Sequence, residues 1–338
     1  MMSLNEKVLV AITDSDYPDF NIEAEVLEKI GAIVQRFSCK TDEDVVKFAK
    51  DADALLNQYA PITEKVFQSL DRLKVVVRYG VGVDNIDVEA ATRAGVLVCN
   101  VIYDITDVAD HTMALLLAAW RRIKNIDNFV FEGKWDWKLL GPLPRFSGST
   151  IGIIGFGKIG KLVAKRLKGF DVRVLVYDPY VRSEEIVKEG FIPKAFEELL
   201  KESDAITLHV PLTKETYHLL NEKSLSIMKN GAIVVNTCRG KVLETKALIN
   251  AIKSGKISYA GLDVLEEEPP SKELLEELKR CGNIILTPHT AWYSNNSLHE
   301  VRFKAALQVL QLFEGKVPEY LVNKNVLEKA RCKSMLKT

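Results

Sequence analysis

Short runs of aliphatic and β-branched residues alternate with stretches of helical periodicity along most of the chain. In the first hundred residues the strand-like runs lie at 7–12, 32–37, 53–57, 74–80 and 96–100. The helical stretches between them lie at 21–30, 42–50, 63–70 and 87–95. Because parallel strands need crossovers of this kind, the pattern predicts an α/β fold, with a doubly wound parallel sheet covered by helices on both faces.

The alternation stops near residue 100 and resumes near residue 150. One helical pattern, apolar around much of its circumference, covers 104–123, and an irregular connector rich in Gly, Pro and Trp covers 131–149. Six strand-like runs follow, at 150–155, 172–178, 205–210, 232–236, 258–264 and 283–288, with a last helical stretch at 297–313. The pattern therefore predicts a second parallel-sheet domain.

Length and composition narrow the class of protein. A chain of 338 residues favours two domains. Lys plus Arg and Asp plus Glu each number 46, so no net charge attracts nucleic acid or an anionic membrane. Five scattered cysteines without a CxxC pair argue against a disulfide framework or a metal site, and the N-terminus lacks a secretory pattern. We expect a soluble, cytoplasmic protein without a metal.

A dinucleotide fingerprint opens the second sheet. Gly155, Gly157 and Gly160 form G-x-G-x-x-G between a predicted strand and a predicted helix. Such glycines permit a tight turn, the approach of a pyrophosphate and close packing of helix on strand. The next strand ends in Asp178, which can accept hydrogen bonds from ribose hydroxyls and would repel a 2′-phosphate. The motif predicts NAD rather than NADP as the cofactor.

Three side chains with useful chemistry follow strand-like runs in the same domain. They are Arg239 in VVNTCRG, Glu268 in GLDVLEEEPP and His289 in TPHTAW. Arg239 could hold a carboxylate or polarise a carbonyl, His289 could donate a proton, and Glu268 could orient and charge the imidazole. This set suffices for hydride transfer to a 2-keto acid.

Each of these residues also has a simpler interpretation. Arg239 could form a surface ion pair, the run Glu266–Glu268 could be a solvated acidic turn, and His289 could be a structural histidine. A zinc role for His289 has little support, because no second His or Cys has ligand spacing to it. Sequence spacing alone does not bring the three residues together.

The motifs together resemble the D-isomer-specific 2-hydroxyacid dehydrogenase family over nearly the whole chain. The matching stretches are VVVRYGVGVDNID, IGIIGFGKIG, LHVPLT, VVNTCRG, GLDVLEEEPP and TPHTAW. The resemblance is strongest to the branch that contains glyoxylate and hydroxypyruvate reductases, phosphoglycerate dehydrogenases and the C-terminal-binding-protein corepressors. It implies two Rossmann-like, doubly wound domains with a cleft between them. A discontinuous, flavodoxin-like substrate-binding domain would comprise 1–100 and 295–338, and an NAD-binding domain 101–294.

The resemblance also implies site residues. Arg239, Glu268 and His289 would be catalytic, with His289 as the proton donor. The implied cofactor contacts are Gly155, Gly157, Lys158, Ile159, Gly160, Asp178, His209, Val210, Pro211, Thr216, Thr237, Cys238, Asp263 and Trp292. The implied substrate contacts are Asn57, Tyr79, Val81, Gly82, Arg239 and His289. The helix over 104–123 would form a homodimer, which would explain its broad apolar face.

Two functions remain open at this point. The first is an NAD-dependent dehydrogenase acting on a small D-2-hydroxy acid or 2-keto acid of the glyoxylate, hydroxypyruvate, 3-phosphoglycerate or lactate type. The second is a corepressor-like dimeric scaffold that binds NAD(H) and retains some dehydrogenase activity. The corepressors keep the same three catalytic residues, so Arg239, Glu268 and His289 do not separate the two hypotheses.

Overall fold

The computed structural model describes residues 7–336, which form two compact units. The first unit contains the chain up to Asp104 and again from Ser294 onward, and the second is Ile105–Tyr293. Residues 1–6, which bear on the predicted absence of a secretory signal, lie outside the described range. None of the helices between residues 7 and 336 combines the length and apolar character needed to cross a bilayer.

The first unit is built on a five-stranded parallel sheet. Strands β1 to β5 are Leu9–Ile12, Ile33–Arg36, Ala54–Asn57, Val75–Arg78 and Leu97–Cys99. Helices α1 to α4 are Asn21–Glu28, Asp42–Phe48, Glu64–Ser69 and Val88–Arg93, and the C-terminal helix, α13 in chain order, is Asn295–Phe313. The strand order β2-β1-β3-β4-β5 is that of flavodoxin-like doubly wound sheets.

The second unit is built on a seven-stranded parallel sheet. Strands β6 to β12 are Thr150–Ile154, Arg173–Tyr177, Ile192–Pro193, Ala205–Leu208, Ala232–Asn236, Ile257–Leu262 and Ile284–Leu286. Helices α5 to α12 are Thr106–Trp120, Ile123–Phe131, Lys158–Leu167, Ser183–Lys188, Phe196–Glu202, Glu222–Ile227, Thr245–Lys253 and Lys272–Cys281. The order β12-β11-β10-β9-β6-β7-β8 grows outward from β6 on both sides, as in Rossmann folds. The predicted fold class of two parallel-sheet α/β domains is confirmed.

Helices on both faces explain why the strands of the second unit read as continuous apolar runs. Ile153 packs into the core beneath α5 and α7, whereas the next residue, Ile154, packs into the core on the opposite face. Val235 and Val234 on β10 divide in the same way. Successive side chains of a strand point to opposite faces, so a strand covered on both sides must be apolar throughout.

The structure corrects the prediction of one helix over 104–123. Helix α5 ends at Trp120, and Arg122 adopts a left-handed conformation with φ of 52° before α6 begins at Ile123. The sequence pattern also missed the two-residue edge strand β8. A two-residue strand shows no periodicity, and a single left-handed residue leaves no apolar signature.

The broad apolar face of α5 is used within its own unit. Eight of its fifteen residues are buried, and the helix packs on α7, β10 and β11. The exposed apolar side chains come later in the chain, where Phe131, Trp135 and Trp137 are 84%, 89% and 77% exposed. A dimer is therefore not needed to explain the composition of α5.

Candidate active site

The glycine-rich turn between β6 and α7 has the geometry of a phosphate cradle. Gly155 has a φ of 95°, and a Cβ there would lie 2.5 Å from the carbonyl oxygen of His209. A Cβ on Gly160 would lie 2.0 Å from the carbonyl oxygen of Gly155, so the helix can start this close to the strand only with glycine. Gly157 caps α7 and faces open space. The open N-terminus of α7 fits a pyrophosphate.

Asp178 follows β7 and lies beside this turn. Its Oδ2 accepts a hydrogen bond from the backbone N–H of Phe156 at 2.7 Å, and its Oδ1 accepts one from Tyr180 at 2.9 Å. Each carboxylate oxygen can accept a second hydrogen bond, which leaves capacity for ribose hydroxyls. Lys158 is exposed at the start of α7, and Ile159 packs against the core. The residues present thus fit a dinucleotide.

The segment after β9 holds four of the predicted cofactor contacts. His209 Nε2 lies 3.0 Å from Thr207 Oγ1, and burial lowers the pKa of His209 to about 3 although part of its surface is exposed. The imidazole is therefore neutral at physiological pH and is no source of protons. Val210 is half-buried, and Thr216 Oγ1 donates to the carbonyl of the exposed Pro211 at 2.6 Å, which closes the following turn.

His289 and Glu268 form a hydrogen-bonded pair in the second unit. Nδ1 of His289 lies 2.7 Å from Oε2 of Glu268, and both side chains are just over one third exposed. Oε1 of Glu268 accepts from the backbone N–H of Leu265 at 2.9 Å. Burial acts to raise the pKa of Glu268, but the hydrogen bond and charge of His289, the Leu265 amide and the charge of Arg239 together lower it. Glu268 is thus ionised at neutral pH. Nε2 of His289 bonds to no other described residue.

Arg239 follows β10, and its loop touches the loop that contains Glu268. A Cβ on Gly240 would lie 1.8 Å from the carbonyl oxygen of Leu265, so glycine alone allows the two backbones to approach this closely. Arg239 Nη1 donates to the carbonyl of Cys238 at 2.8 Å. The guanidinium also contributes to the lowered pKa of Glu268, which places its positive charge near the pair.

Asp263 lies at the end of β11 beneath the loop that contains His289. Its carboxylate is buried and accepts hydrogen bonds from the backbone N–H groups of Thr290 and Ala291, each at 2.9 Å. It was predicted to contact the cofactor, and the structure shows that its oxygens hold this loop. Trp292, the last predicted contact in this segment, is half-buried and meets the Tyr293 ring edge-on.

Thr237 and Cys238 lie between β10 and Arg239. Thr237 is buried, and its Oγ1 lies 2.8 Å from Thr112 Oγ1 on α5. The thiol of Cys238 donates to Asn236 Oδ1 at 3.1 Å, and burial raises its pKa to about 11. The thiol is therefore protonated at neutral pH and a poor nucleophile.

A second histidine–carboxylate pair was missed by the sequence analysis. Nε2 of His218 lies 2.5 Å from Oε1 of Glu266, whose Oε2 accepts from the Thr245 amide at 2.6 Å. Burial acts to raise the pKa of Glu266, but the hydrogen bonds from Thr245 and His218 lower it. Glu266 is thus not a solvated acidic turn. It anchors the loop two residues before Glu268, and no spacing rule pairs it with His218.

In the first unit, two predicted substrate contacts are turned inward. Asn57 is fully buried, and its amide nitrogen donates to Thr13 Oγ1 and to the carbonyl of Ala60, each at 3.0 Å. Tyr79 is 3% exposed, and its hydroxyl donates to Glu23 at 3.0 Å. Their placement argues against the predicted direct contacts, because neither presents a polar group at the surface. Both instead support the loop that follows β4.

The other two predicted substrate contacts lie on that loop. Val81 is 44% exposed, and its carbonyl accepts a hydrogen bond from Asn100 at 2.8 Å. The backbone N–H groups of Val81 and Gly82 donate to no other described residue. Two adjacent free amides form a suitable site for a carboxylate.

Comparisons with known proteins agree with this geometry. The sequence model for the NAD binding domain of the D-isomer specific 2-hydroxyacid dehydrogenases matches residues 113–291, which contain the glycine turn, Asp178, Arg239, Glu268 and His289. The chain belongs to this family. It is therefore an NAD-dependent oxidoreductase that transfers a hydride from a 2-hydroxy acid to NAD, or in reverse from NADH to the 2-keto acid, and the predicted family, cofactor and enzyme class are confirmed.

Individual members of the family resemble the chain over most of its length. A glyoxylate reductase of Pyrococcus furiosus is 43% identical over 85% of this chain and 87% of its own. A D-3-phosphoglycerate dehydrogenase of Methanocaldococcus jannaschii is 38% identical over 94% of this chain and 59% of its own. The structure of a D-lactate dehydrogenase from Aquifex aeolicus, complexed with NAD and lactic acid, superposes with a TM-score of 0.85 at 32% identity, over 93% of this chain and 99% of that one.

Proposed function

We propose that this dehydrogenase reduces glyoxylate, or a closely similar small 2-keto acid, with NADH. The observation that supports the chemistry is the hydrogen bond of 2.7 Å between His289 Nδ1 and Glu268 Oε2, with the charge of Arg239 acting on the same carboxylate. The choice of substrate rests on the 43% identity to a glyoxylate reductase over most of both chains.

The proton and charge roles follow from the geometry. Reduction adds one hydride and one proton to the keto group, and bound NADH supplies the hydride. His289 donates the proton from Nε2, because Nδ1 is bonded to Glu268. Glu268, ionised at neutral pH, stabilises the imidazolium before transfer and orients the ring. Arg239 polarises the substrate carbonyl through its guanidinium.

The remaining predicted contacts divide between the units. In the second unit we propose that the glycine turn holds the pyrophosphate and that Asp178 holds the ribose hydroxyls. His209, Val210, Pro211, Thr216, Thr237, Cys238 and Trp292 would line the rest of the cofactor site. In the first unit, the free amides of Val81 and Gly82 would bind the substrate carboxylate, which gives that unit the substrate-binding role.

Turnover of a panel of keto acids tests this function. We expect glyoxylate and hydroxypyruvate to give the highest kcat/KM with NADH, because they are small and need no further anion site. Pyruvate and 3-phosphohydroxypyruvate serve as comparison substrates. A kcat/KM at least tenfold higher for either comparison substrate would contradict the substrate assignment. Tight NADH binding without turnover of any keto acid would favour the scaffold hypothesis.

We also propose that the protein is a homodimer, but not through α5 alone. The exposed Phe131, Trp135 and Trp137 lie within seven residues of one another in the chain, and exposed apolar side chains grouped in this way often mark an interaction surface. A second copy of the chain would cover it, most simply around a twofold axis. Sedimentation of a W135S/W137S variant should show a shift from dimer to monomer, and an unchanged dimer would contradict this assignment.

We also propose that the protein is cytoplasmic. All five cysteines are free thiols, as expected in a reducing compartment. The equal numbers of acidic and basic residues support a small-molecule substrate rather than nucleic acid or a membrane as partner.

A further inference from the structure

The backbone of His289 is strained. Its φ is 54°, in the left-handed region that only a few per cent of residues other than glycine occupy. Such a conformation costs free energy and persists only where the surroundings fix it. Two backbone bonds contribute, because the His289 N–H donates to the carbonyl of Asp263 at 2.8 Å and that of Thr287 donates to Leu262 at 3.0 Å. These bonds tie the loop to Leu262, the last residue of β11, and to Asp263, which follows it.

Three hydrogen-bonded side chains also hold the loop that contains His289. Nε2 of His111 on α5 lies 3.0 Å from Thr287 Oγ1, and Thr287 Oγ1 lies 2.5 Å from Oδ1 of the buried Asp263. Thr287 has one hydroxyl proton, which an ionised carboxylate can only accept. The hydroxyl therefore donates to Asp263 and accepts from His111. This direction fixes Nε2 of His111 as a protonated nitrogen.

The next residue on α5 reaches the other catalytic loop. Thr112 Oγ1 lies 2.8 Å from Thr237 Oγ1, two residues before Arg239. Two adjacent side chains of one well-packed helix are thus bonded to the loop that contains His289 and to the loop that contains Arg239. Eight residues of α5 are buried, so the helix is a fixed support for both loops.

We propose that His111 is a positioning residue for the reaction. It does not donate the transferred proton. It holds Thr287 and Asp263, which fix the strained loop so that His289 points its free nitrogen at the substrate, while Thr112 fixes the loop of Arg239. This inference rests on the proposed role of His289 as the proton donor.

The first test compares H111L with H111Q. Leucine removes the donor to Thr287, whereas the amide of glutamine can place an N–H near the position of Nε2. We expect H111L to lower kcat for glyoxylate reduction by about 10- to 100-fold, as small misplacements of catalytic groups do. The KM for NADH and the melting temperature should stay close to those of the unmodified protein, and H111Q should recover most of kcat. H299L, a histidine removal in the first unit, is the matched control and should leave kcat unchanged.

A double-mutant cycle tests the chain itself. If His111 acts through Thr287, the H111L/T287V variant should be no slower than the slower single variant, because residues that act as one unit are not additive. Additive losses would overturn the proposal, as would a normal kcat in H111L or a loss that H111Q does not restore. The H289Q variant distinguishes failure of the positioning role of His111 from failure of the proton-donor role of His289. An inactive H289Q with an unaffected H111L refutes only the positioning role of His111. An active H289Q refutes the role of His289 as the proton donor, on which the positioning role rests.

Discussion

Asp178 should make the enzyme select NADH over NADPH. Two unit charges about 4 Å apart interact by about 1 kcal/mol in water and about 4 kcal/mol near a protein surface. Asp178 is half-buried, so the water value is a lower limit for its interaction with a phosphate. A 2′-phosphate bears about 1.5 to 2 negative charges at neutral pH, so the repulsion is at least about 1.5 kcal/mol. This corresponds to a preference of at least about tenfold in kcat/KM.

Two substitutions separate the charge of Asp178 from its hydrogen bonds. Asp178 also accepts from the Phe156 and Tyr180 amides, so its removal disturbs the glycine turn as well as the ribose contact. D178N retains one acceptor oxygen in place and removes the charge, whereas D178S removes both carboxylate oxygens and leaves a single hydroxyl on a shorter side chain. We expect D178N to raise kcat/KM for NADPH by about tenfold, the loss of the repulsion estimated above. D178S should also reduce the preference for NADH over NADPH, but with a larger loss of kcat/KM for NADH than in D178N.

Steady-state kinetics with each cofactor at saturating glyoxylate provides the assay. The matched control is E185Q, which removes an acidic charge on α8 from a pair with Arg182 and should leave the cofactor ratio unchanged. Equal use of NADH and NADPH by the unmodified enzyme would contradict the proposed role of Asp178. An unchanged ratio in D178N would show that selectivity comes from another part of the site.

Three further predictions concern stability, metal and thiol chemistry. R302M should lower the free energy of unfolding, measured in urea, by about 3–5 kcal/mol. Arg302 pairs at 2.8 Å with the fully buried Glu23, and removal of the guanidinium would leave the Glu23 carboxylate buried without its partner. A decrease below about 1 kcal/mol would contradict the pairing. Dialysis against EDTA should leave turnover unchanged, since the described residues contain no metal-binding cluster, and rescue by zinc or magnesium would disprove this. Iodoacetamide at pH 7.5 should spare Cys238, whose pKa is raised to about 11, and mass spectrometry would reveal the contrary.

The fold could be predicted because burial on both faces leaves a clear signature. A strand such as β6 must be apolar throughout, and glycines and short polar segments bound it. The break between α5 and α6 has no such signature. Arg122 is an ordinary residue in an unusual conformation, and no residue of α6 is buried in the described structure. Apolar periodicity alone cannot locate a helix that is not packed on a core.

The site was predictable only where local motifs determine it. The strand-end positions of Arg239, Glu268 and His289 could be recognised in the sequence, and the structure shows the pair that Glu268 and His289 form. The side chains that hold these loops could not be recognised in the sequence, because Thr287 and His111 lie 176 residues apart in the chain. The burial of the Tyr79 side chain could not be predicted either, because the sequence does not reveal which way a side chain at a strand end turns.

In the proposed mechanism His289 transfers the proton and Glu268 is its charged partner. A pH profile of kcat/KM in both directions tests these two roles. The His289 hydrogen bond and charge help to hold the pKa of Glu268 below its usual range, so Glu268 stays ionised across pH 6–9. Reduction needs the protonated imidazole and should slow as pH rises, whereas oxidation needs the neutral form and should slow as pH falls.

The decisive comparison is the profile of E268Q with that of the unmodified enzyme. Glutamine keeps a hydrogen-bonding group but removes the charge that favours the imidazolium, so the inflections of both directions should move to lower pH. H289Q should lose about 10²- to 10⁴-fold in both directions and still bind NADH. Inflections of E268Q that coincide with those of the unmodified enzyme would contradict the claim, and so would an H289Q variant that retains its turnover.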